Sequence, residues 1–365
     1  MLTLFSPYSI AFSNDSKLHL SPFMCPEISS SVQPIYYLRN TLGTDLSLEY
    51  ISVTKSLAPS QTILEAAWMA FLVHAKPVIE SQFGQGALPT QIRVIATDQI
   101  APLGGLFCES VQKSPDQFTV FVNPSLAFVP QDFASQLAHE FVHAYFYHQR
   151  IQNPLWFEEG LALFLESQIT GRPKGAAIQA HLRTPWTSLS DDFDHPENML
   201  SAYGHAQLLF LYLDQQMGHD GNLIQKILAT RQAGITALNT LIQQTPDSPW
   251  KNFREMFGDF EIAKRINRLD YANPDLTQQK RYFIFSTTLK AADVNQPSLT
   301  HPLQPLSSQV VSIGTVFNSS ALRNYPGCFV VEYSRTRSIQ IRSCKSITSD
   351  SSSENNFAIR VTLSQ

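Results

Sequence analysis

Residues 131–168 read QDFASQLAHEFVHAYFYHQRIQNPLWFEEGLALFLESQ, and this stretch decides the fold. Its apolar spacing predicts two helices, Gln131 to about His148 and Pro154 to about Gln168. At 100° per residue, Asp132, Ser135, Gln136, His139, Glu140 and His143 share one stripe of the first helix. Phe133, Leu137, Ala138, Phe141, Val142 and Tyr145 cover the rest, so the helix is buried on most sides and opens a polar strip to one. Phe146 and Tyr147 extend that strip with aromatic rings, which suits the wall of a cleft better than a solvated face. An ordinary amphipathic helix with its polar side in water is the plainer alternative.

Within the first helix, His139-Glu140-Phe141-Val142-His143 is an H-E-x-x-H motif. Two histidines four apart project from one face, one turn apart, so both imidazoles can reach one ion. Zinc suits them, because it accepts imidazole in a tetrahedral set with one open position. Glu140 can reach a water on such an ion without displacing a ligand, which a general base requires. A third ligand is still needed. After His143 the chain runs AYFYHQR, with no Gly three residues on and no His six on, so the metzincin pattern fails and His148 falls at the wrong phase. A carboxylate early in the second helix would serve. Asn153 is placed to cap that helix, Pro154 suits its first turn, and Gly160 would let the two helices approach closely.

HEFVHAYF followed by PLWFEEGLALFLE resembles the gluzincin metallopeptidases, particularly the peptidase MA-like group with its H-E-x-x-H and W-x-x-E-G-x-A signatures. The resemblance implies a zincin-like fold, a zinc ion held by His139, His143 and Glu159, and peptide hydrolysis with Glu140 as general base. It makes Glu158 the fallback ligand, whose blander reading is a carboxylate at the surface or behind a ligand. Glu166 would orient a ligand histidine. The likeness extends more thinly to Ser201-Ala202-Tyr203-Gly204-His205-Ala206-Gln207, where Tyr203 or His205 would donate to the oxyanion of the tetrahedral intermediate. A Tyr203 that is simply a core aromatic with a satisfied hydroxyl is the alternative. The aminopeptidase hallmark Gly-x-Met-Glu-Asn is missing, so recognition of a free amine is not implied.

Around this centre, Leu64, Ala67, Trp68, Phe71, Leu72 and Ala75 form the stripe of a core-facing helix over Gln61–Phe83. Ser60 is its N-cap, Pro77 should kink it, and Gly84 stops it. Gln91 to Thr97 and Phe118 to Val122 read as strands, the latter as an edge strand able to pair with an extended peptide. Further helices are expected at Ala202 to about Gln216, near Gly221 to Arg231, and over Thr236 to Ile266 with a break near Thr245 to Ser248. Beyond Tyr271 the texture turns to β, with strand candidates at Arg281–Leu289, Gln309–Phe317, Cys328–Ser334, Ser338–Ser343 and Phe357–Leu363. The expectation is therefore an α+β protein: an N-terminal extension with short β segments (1–58), a zincin-like catalytic domain (59–270), and a small all-β, sandwich-like accessory domain (271–365).

The formal net charge of -4 leaves no basic footprint, which argues against a nucleic-acid partner; the resemblance implies a peptide or protein substrate. Arg335, Arg337, Arg342 and Lys345 are read as a solvated basic face. The longest apolar run, Ala66 to Ala75, falls short of the roughly 20 residues that span a bilayer, so no transmembrane segment is expected. The first thirteen residues, MLTLFSPYSIAFS, are apolar and uncharged, with Ala11 and Ser13 placed like a signal-peptidase site; this weakly favours export. Among Cys25, Cys108, Cys328 and Cys344 there is no C-x-x-C pair. A hairpin disulfide between Cys328 and Cys344, or four reduced thiols, are both open.

Overall fold

The computed structural model describes residues 26, 36–40, 45–51, 59–84, 91–100, 103–108, 117–184, 187–189, 195–218, 221–246, 248–268, 308–313, 328–333, 339–343 and 358–364. Strands β1 (Tyr36–Asn40), β2 (Asp45–Tyr50), β3 (Gln91–Ala96), β4 (Gly105–Phe107) and β5 (Gln117–Val122) form one mixed sheet, ordered β1-β2-β3-β5-β4. β2, β3 and β5 run parallel, while β1 and β4 pair antiparallel at the two edges. Tyr36–Asn40 and Asp45–Tyr50, expected in a separate extension, thus belong to the same sheet as β3, β4 and β5. The pairing of β2 with β3 spans more than forty residues, which no local pattern announces. Phe118–Val122, expected at the edge, lies inside the sheet, between β3 and β4. The edge is β4.

Helix α1 (Gln61–Ala70) begins at Ser60, whose side chain accepts from the Ile63 N–H. It passes through one π turn (Phe71–Ala75) into α2 (Lys76–Phe83), which Gly84 closes at φ 88°. The π turn sits directly before Pro77, whose ring would crowd a regular helix and which has no N–H to donate. At the expected kink the structure has this π turn within one continuous helical run. The whole run is long and apolar enough, by length and composition, to cross a membrane. Its face carrying Leu64, Ala67, Trp68, Phe71, Ala75 and Ile79 is packed in the core, with Phe71 against Phe141 and Phe83 against Tyr145.

The central helices are α3 (Pro130–Gln149) and α4 (Leu155–Thr170), followed by α5 (Gly175–Arg183) and α6 (Pro196–Gln216). α3 ends where Arg150 turns left-handed at φ 54°. Asn153 does not cap α4. Its side chain instead donates to Glu158 and accepts from the Gly234 N–H, and Pro154 holds the cap position. Gly160 does serve close approach, but of a different helix: a Cβ there would strike the Phe210 ring and Ala206 of α6, not α3. Gly204 has the same role on α6, where a Cβ would strike the Ala177 carbonyl of α5. Helices α7 (Leu223–Ala229), α8 (Gly234–Gln244) and α9 (Phe253–Arg268) complete this part, with the break between α8 and α9 at 245–252.

The C-terminal strands β6 (Ser308–Ile313), β7 (Cys328–Tyr333), β8 (Ile339–Ser343) and β9 (Ala358–Ser364) form one mixed sheet, ordered β6-β9-β7-β8. A second layer, which a sandwich requires, is not among the described residues. The expected strand at Arg281–Leu289 and the basic cluster's Arg335, Arg337 and Lys345 lie outside them. Cys25 and Cys344 lie outside them too. Cys108 is buried and disulfide-bonded, so the reading of four reduced thiols does not hold for it.

Candidate metal centre

The H-E-x-x-H spacing places His139 and His143 one turn apart on α3, with ring centroids 5.2 Å apart. From α4, Glu159 reaches both. Its Oε2 lies 3.0 Å from His139 Nε2, and its Oε1 lies 3.6 Å from His143 Nε2. One ligand atom from each of the three residues falls within 4.8 Å of the other two. Each imidazole presents Nε2 inward, because its Nδ1 is held from behind. His139 Nδ1 meets Glu166 Oε1 at 2.7 Å, and His143 Nδ1 meets Glu158 Oε2 at 3.1 Å. A hydrogen bond at Nδ1 selects the tautomer that leaves Nε2 as a lone-pair donor. Glu158, the fallback ligand, is therefore a positioning group for His143. Glu166, seven residues and nearly two full turns after Glu159, shares its face of α4 and grips the same histidine from the other side.

The electrostatics favour a cation. Glu140, Glu158, Glu159 and Glu166 surround two imidazoles, and Lys174 approaches both Glu166 oxygens at 3.2 Å. Burial alone would lower the pKa of His139, but the carboxylates of Glu159 and Glu166 outweigh it and push the imidazole up to about 10. Burial likewise opposes ionisation of Glu159, yet the charge of His143 beside it, with His139, holds the carboxyl below its ordinary value. Positive charge is demanded at the centre. Moreover, Glu159 Oε2 is buried and receives no well-directed hydrogen bond, despite its nearness to His139 Nε2. An unsatisfied buried carboxylate oxygen costs about 1–3 kcal/mol or more, and a bound metal ion would remove that cost. Two imidazole nitrogens and a carboxylate are a donor set that zinc accepts with one position open. The residues present fit the ion.

Glu140 is only 4% exposed and does not join the ligand set. Gln136, one turn earlier on α3, donates to its Oε1 at 2.9 Å. β4 closes over it so tightly that a Cβ on Gly105 would lie 2.5 Å from Oε1, and one on Gly104 would strike the Gln136 amide. Burial raises its pKa, with the two histidines opposing. A carboxylate held above its usual range is better matched to moving a proton near neutral pH.

Tyr203, from α6, enters the same cluster. Its hydroxyl is hydrogen-bonded to Glu159, and burial together with the charges of Glu159 and Glu140 pushes its pKa well up, so it stays a neutral donor. His205 does not enter. Two residues on, it points about 200° away around the helix. Its Nδ1 donates to the Thr187 carbonyl at 2.9 Å, and its Nε2 faces Lys264 Nζ and Glu261 Oε1, each at 3.0 Å. Both ring nitrogens are committed to a buried cluster with no atom left to donate to a reacting oxygen, so the oxyanion role expected for His205 is corrected to a structural one. Lys174 and the Gly104-Gly105 pair are neighbours of the site that sequence reasoning missed, and Gln136 was read only as part of the polar stripe. Nothing local in the sequence links the glycine pair to Glu140. No family model matches this chain, and no curated protein does either.

Proposed function

We propose that this chain is a zinc-dependent metallopeptidase of the gluzincin kind, with His139, His143 and Glu159 as ligands and Glu140 as general base. The observation that carries this reading is the convergence of two inward-facing Nε2 atoms and the unsatisfied Glu159 oxygen, with an unliganded, buried Glu140 beside them. Zinc bound there would acidify a water and polarise a carbonyl.

The chain's own residues do the rest. Glu140, fixed by Gln136 and by the β4 backbone, takes the proton from the attacking water and delivers it to the leaving amine. Tyr203 presents its hydroxyl at the ligand cluster, where it can donate to the oxygen that gains charge as the carbonyl is attacked. Glu158 and Glu166 hold the two imidazoles in one orientation, and Lys174 offsets the charge of Glu166. β4 is the last strand of the sheet beside Glu140, and Gly104 and Gly105 interpose no side chain there. The disulfide at Cys108, one residue beyond β4, suits an oxidising compartment and agrees with export.

The test is Glu140→Gln, a substitution that keeps shape and removes the basic oxygen. Metal analysis should give one zinc per chain for both proteins. A broad peptide-library digest should show chelator-sensitive cleavage by the wild type and none by the variant. Turnover retained in Glu140→Gln refutes the base assignment, and stoichiometric zinc with no cleavage by the wild type would leave a metal-binding protein without peptidase activity.

A further inference from the structure

Tyr203, Gly204 and His205 occupy three sides of α6, because successive residues step about 100° around a helix. Tyr203 faces the ligand cluster, where its hydroxyl is hydrogen-bonded to Glu159. Gly204 faces α5, where a Cβ would strike the Ala177 carbonyl. His205 faces away from both, into a buried cluster completed by His181 of α5 and by Glu261 and Lys264, one turn apart on α9. The Thr187 carbonyl accepts from His205 Nδ1 at 2.9 Å, which leaves Nε2 as a lone pair. An ammonium has three N–H donors. That of Lys264 meets three acceptors: His181 Nε2 at 2.8 Å, His205 Nε2 at 3.0 Å and Glu261 Oε1 at 2.7 Å. The His181 ring stacks on that of His205 with centroids 4.2 Å apart, and the Phe260 ring lies 4.8 Å from the ammonium. His205 is held in one place and one orientation.

We infer that His205, Glu261 and Lys264 are positioning residues for Tyr203: they anchor α6 from behind and fix its rotation, so that the Tyr203 hydroxyl stands where the oxyanion forms. This rests on the peptidase reading. A buried ion pair adds little net stability, because desolvation of both groups offsets their attraction; what a fully bonded one supplies is a single geometry. Here two residues of one helix carry that geometry to the site. On nearly the opposite side of α6, Gln207 donates to the Leu163 carbonyl at 3.1 Å and accepts from the Lys174 N–H at 3.2 Å. The two anchors face each other across the helix axis, and with the rear one loosened α6 is free to turn about the other. A side-chain tip about 6 Å from the axis moves about 1 Å when the helix turns by about 10°. A misplacement of about 1 Å costs on the order of 10²-fold in a catalytic step.

The experiment takes the zinc-loaded full chain and makes Glu261→Gln and Tyr203→Phe, singly and combined. It measures kcat and KM for one peptide, and inhibition by a phosphinic peptide whose tetrahedral anionic group stands in for the attacked carbonyl. Glu261→Gln should keep zinc and KM, lower kcat about 10- to 100-fold, and weaken the phosphinic peptide by a similar factor. Placed in Tyr203→Phe, the same substitution should change kcat by less than about threefold, because the hydroxyl it positions is already gone. Should Glu261→Gln leave the Lys264 charge uncompensated and the chain unfolded, Glu261→Gln combined with Lys264→Met removes both charges, keeps the volume and takes its place in the comparison. A folded variant with the kcat and inhibitor affinity of the wild type overturns the anchor and leaves the peptidase reading intact. So does a loss that multiplies in full with that of Tyr203→Phe. No cleavage by the zinc-loaded wild type overturns the peptidase reading and the anchor together.

Discussion

Gly105→Ala is the smallest change that should silence this centre without touching a ligand. The new Cβ would lie 2.5 Å from Glu140 Oε1 and 2.8 Å from its Cγ, where ordinary contact begins near 3.4 Å. Rotating the carboxylate does not relieve the second clash. Clearing the Cγ contact (3.4 less 2.8 Å) moves the side chain by about 0.6 Å, and clearing Oε1 without rotation (3.4 less 2.5 Å) by about 0.9 Å, against the grip of Gln136 at 2.9 Å. The backbone at Gly105 does not need a positive φ, so the substitution brings no backbone strain. Alanine even reduces the freedom of the unfolded chain there, worth about 0.4–1 kcal/mol of added stability before the clash is counted. Misplacing a catalytic group by about 1 Å costs on the order of 10²-fold, or about 2.7 kcal/mol of transition-state stabilisation. The expected variant is thus folded, holds one zinc, and has kcat reduced about 100-fold with KM changed little. Stopped peptide-cleavage assays, run beside metal analysis and a thermal melt, measure all three. A zinc-loaded, folded variant with kcat within threefold of wild type would refute the claim that β4 positions Glu140.

Glu158→Ala and Glu166→Ala should each weaken zinc binding about 10–100-fold, because each frees the Nδ1 side of one ligand histidine. Glu159→Ala, which removes a ligand, should weaken it more than either. Chelator competition ranks the three, and equal affinity for wild type and the Glu166 variant would argue against its role. Stability should fall with acidification through the cluster of His181, His205, Glu261 and Lys264, in which Lys264 Nζ lies 2.8, 3.0 and 2.7 Å from His181 Nε2, His205 Nε2 and Glu261 Oε1. Burial, with the charge of Lys264 beside it, holds His205 down to about 4, so it is neutral when folded. Its contribution is full above about pH 6.5 and is lost as pH falls toward 4, because the unfolded state alone takes up the proton. Burial opposes ionisation of Glu261, but Lys264 and His205 outweigh it and hold the carboxyl down to about 2, so its contribution is lost below its unfolded value, in the same direction. Urea unfolding of the metal-loaded protein between pH 7 and pH 5 should show stability dropping by up to about 1.4 kcal/mol per pH unit from His205, and His205→Asn should flatten that slope. An unchanged slope in the variant would show that another group sets the acid sensitivity.

The helices of the site were readable because their information is local. Four residues carry a helix once around, so the pairing of His139 with His143 and the polar stripe from Asp132 to Glu140 follow from spacing alone. So do the apolar stripe of α1 and its Ser60 cap. α5 went unread, although Ala177, Ile178, His181 and Leu182 share one face of it. The 3.6-residue period also places Glu159 and Glu166 on one face of α4, whichever element lies opposite. The partners of those faces were not legible. Gly160 looked like relief for α3 and proved to accommodate Phe210 of α6, because a missing side chain shows that something approaches but not what.

Strand order was the least accessible quantity. Phe118–Val122 has the composition of a strand at any position in a sheet. Only closure of the sheet decided that β4, three residues long and marked in the sequence by little more than two glycines, takes the edge against Glu140. His205 shows the same limit from the other side. Its neighbour Tyr203 faces the ligand cluster, but Glu261 and Lys264 arrive from a helix more than fifty residues later and claim both the ring and its chemistry. Spacing along one chain specifies which side chains a helix presents together. Which of them meet a metal, a substrate edge or a buried ammonium is settled by long-range packing, where contacts between distant segments have no local signature.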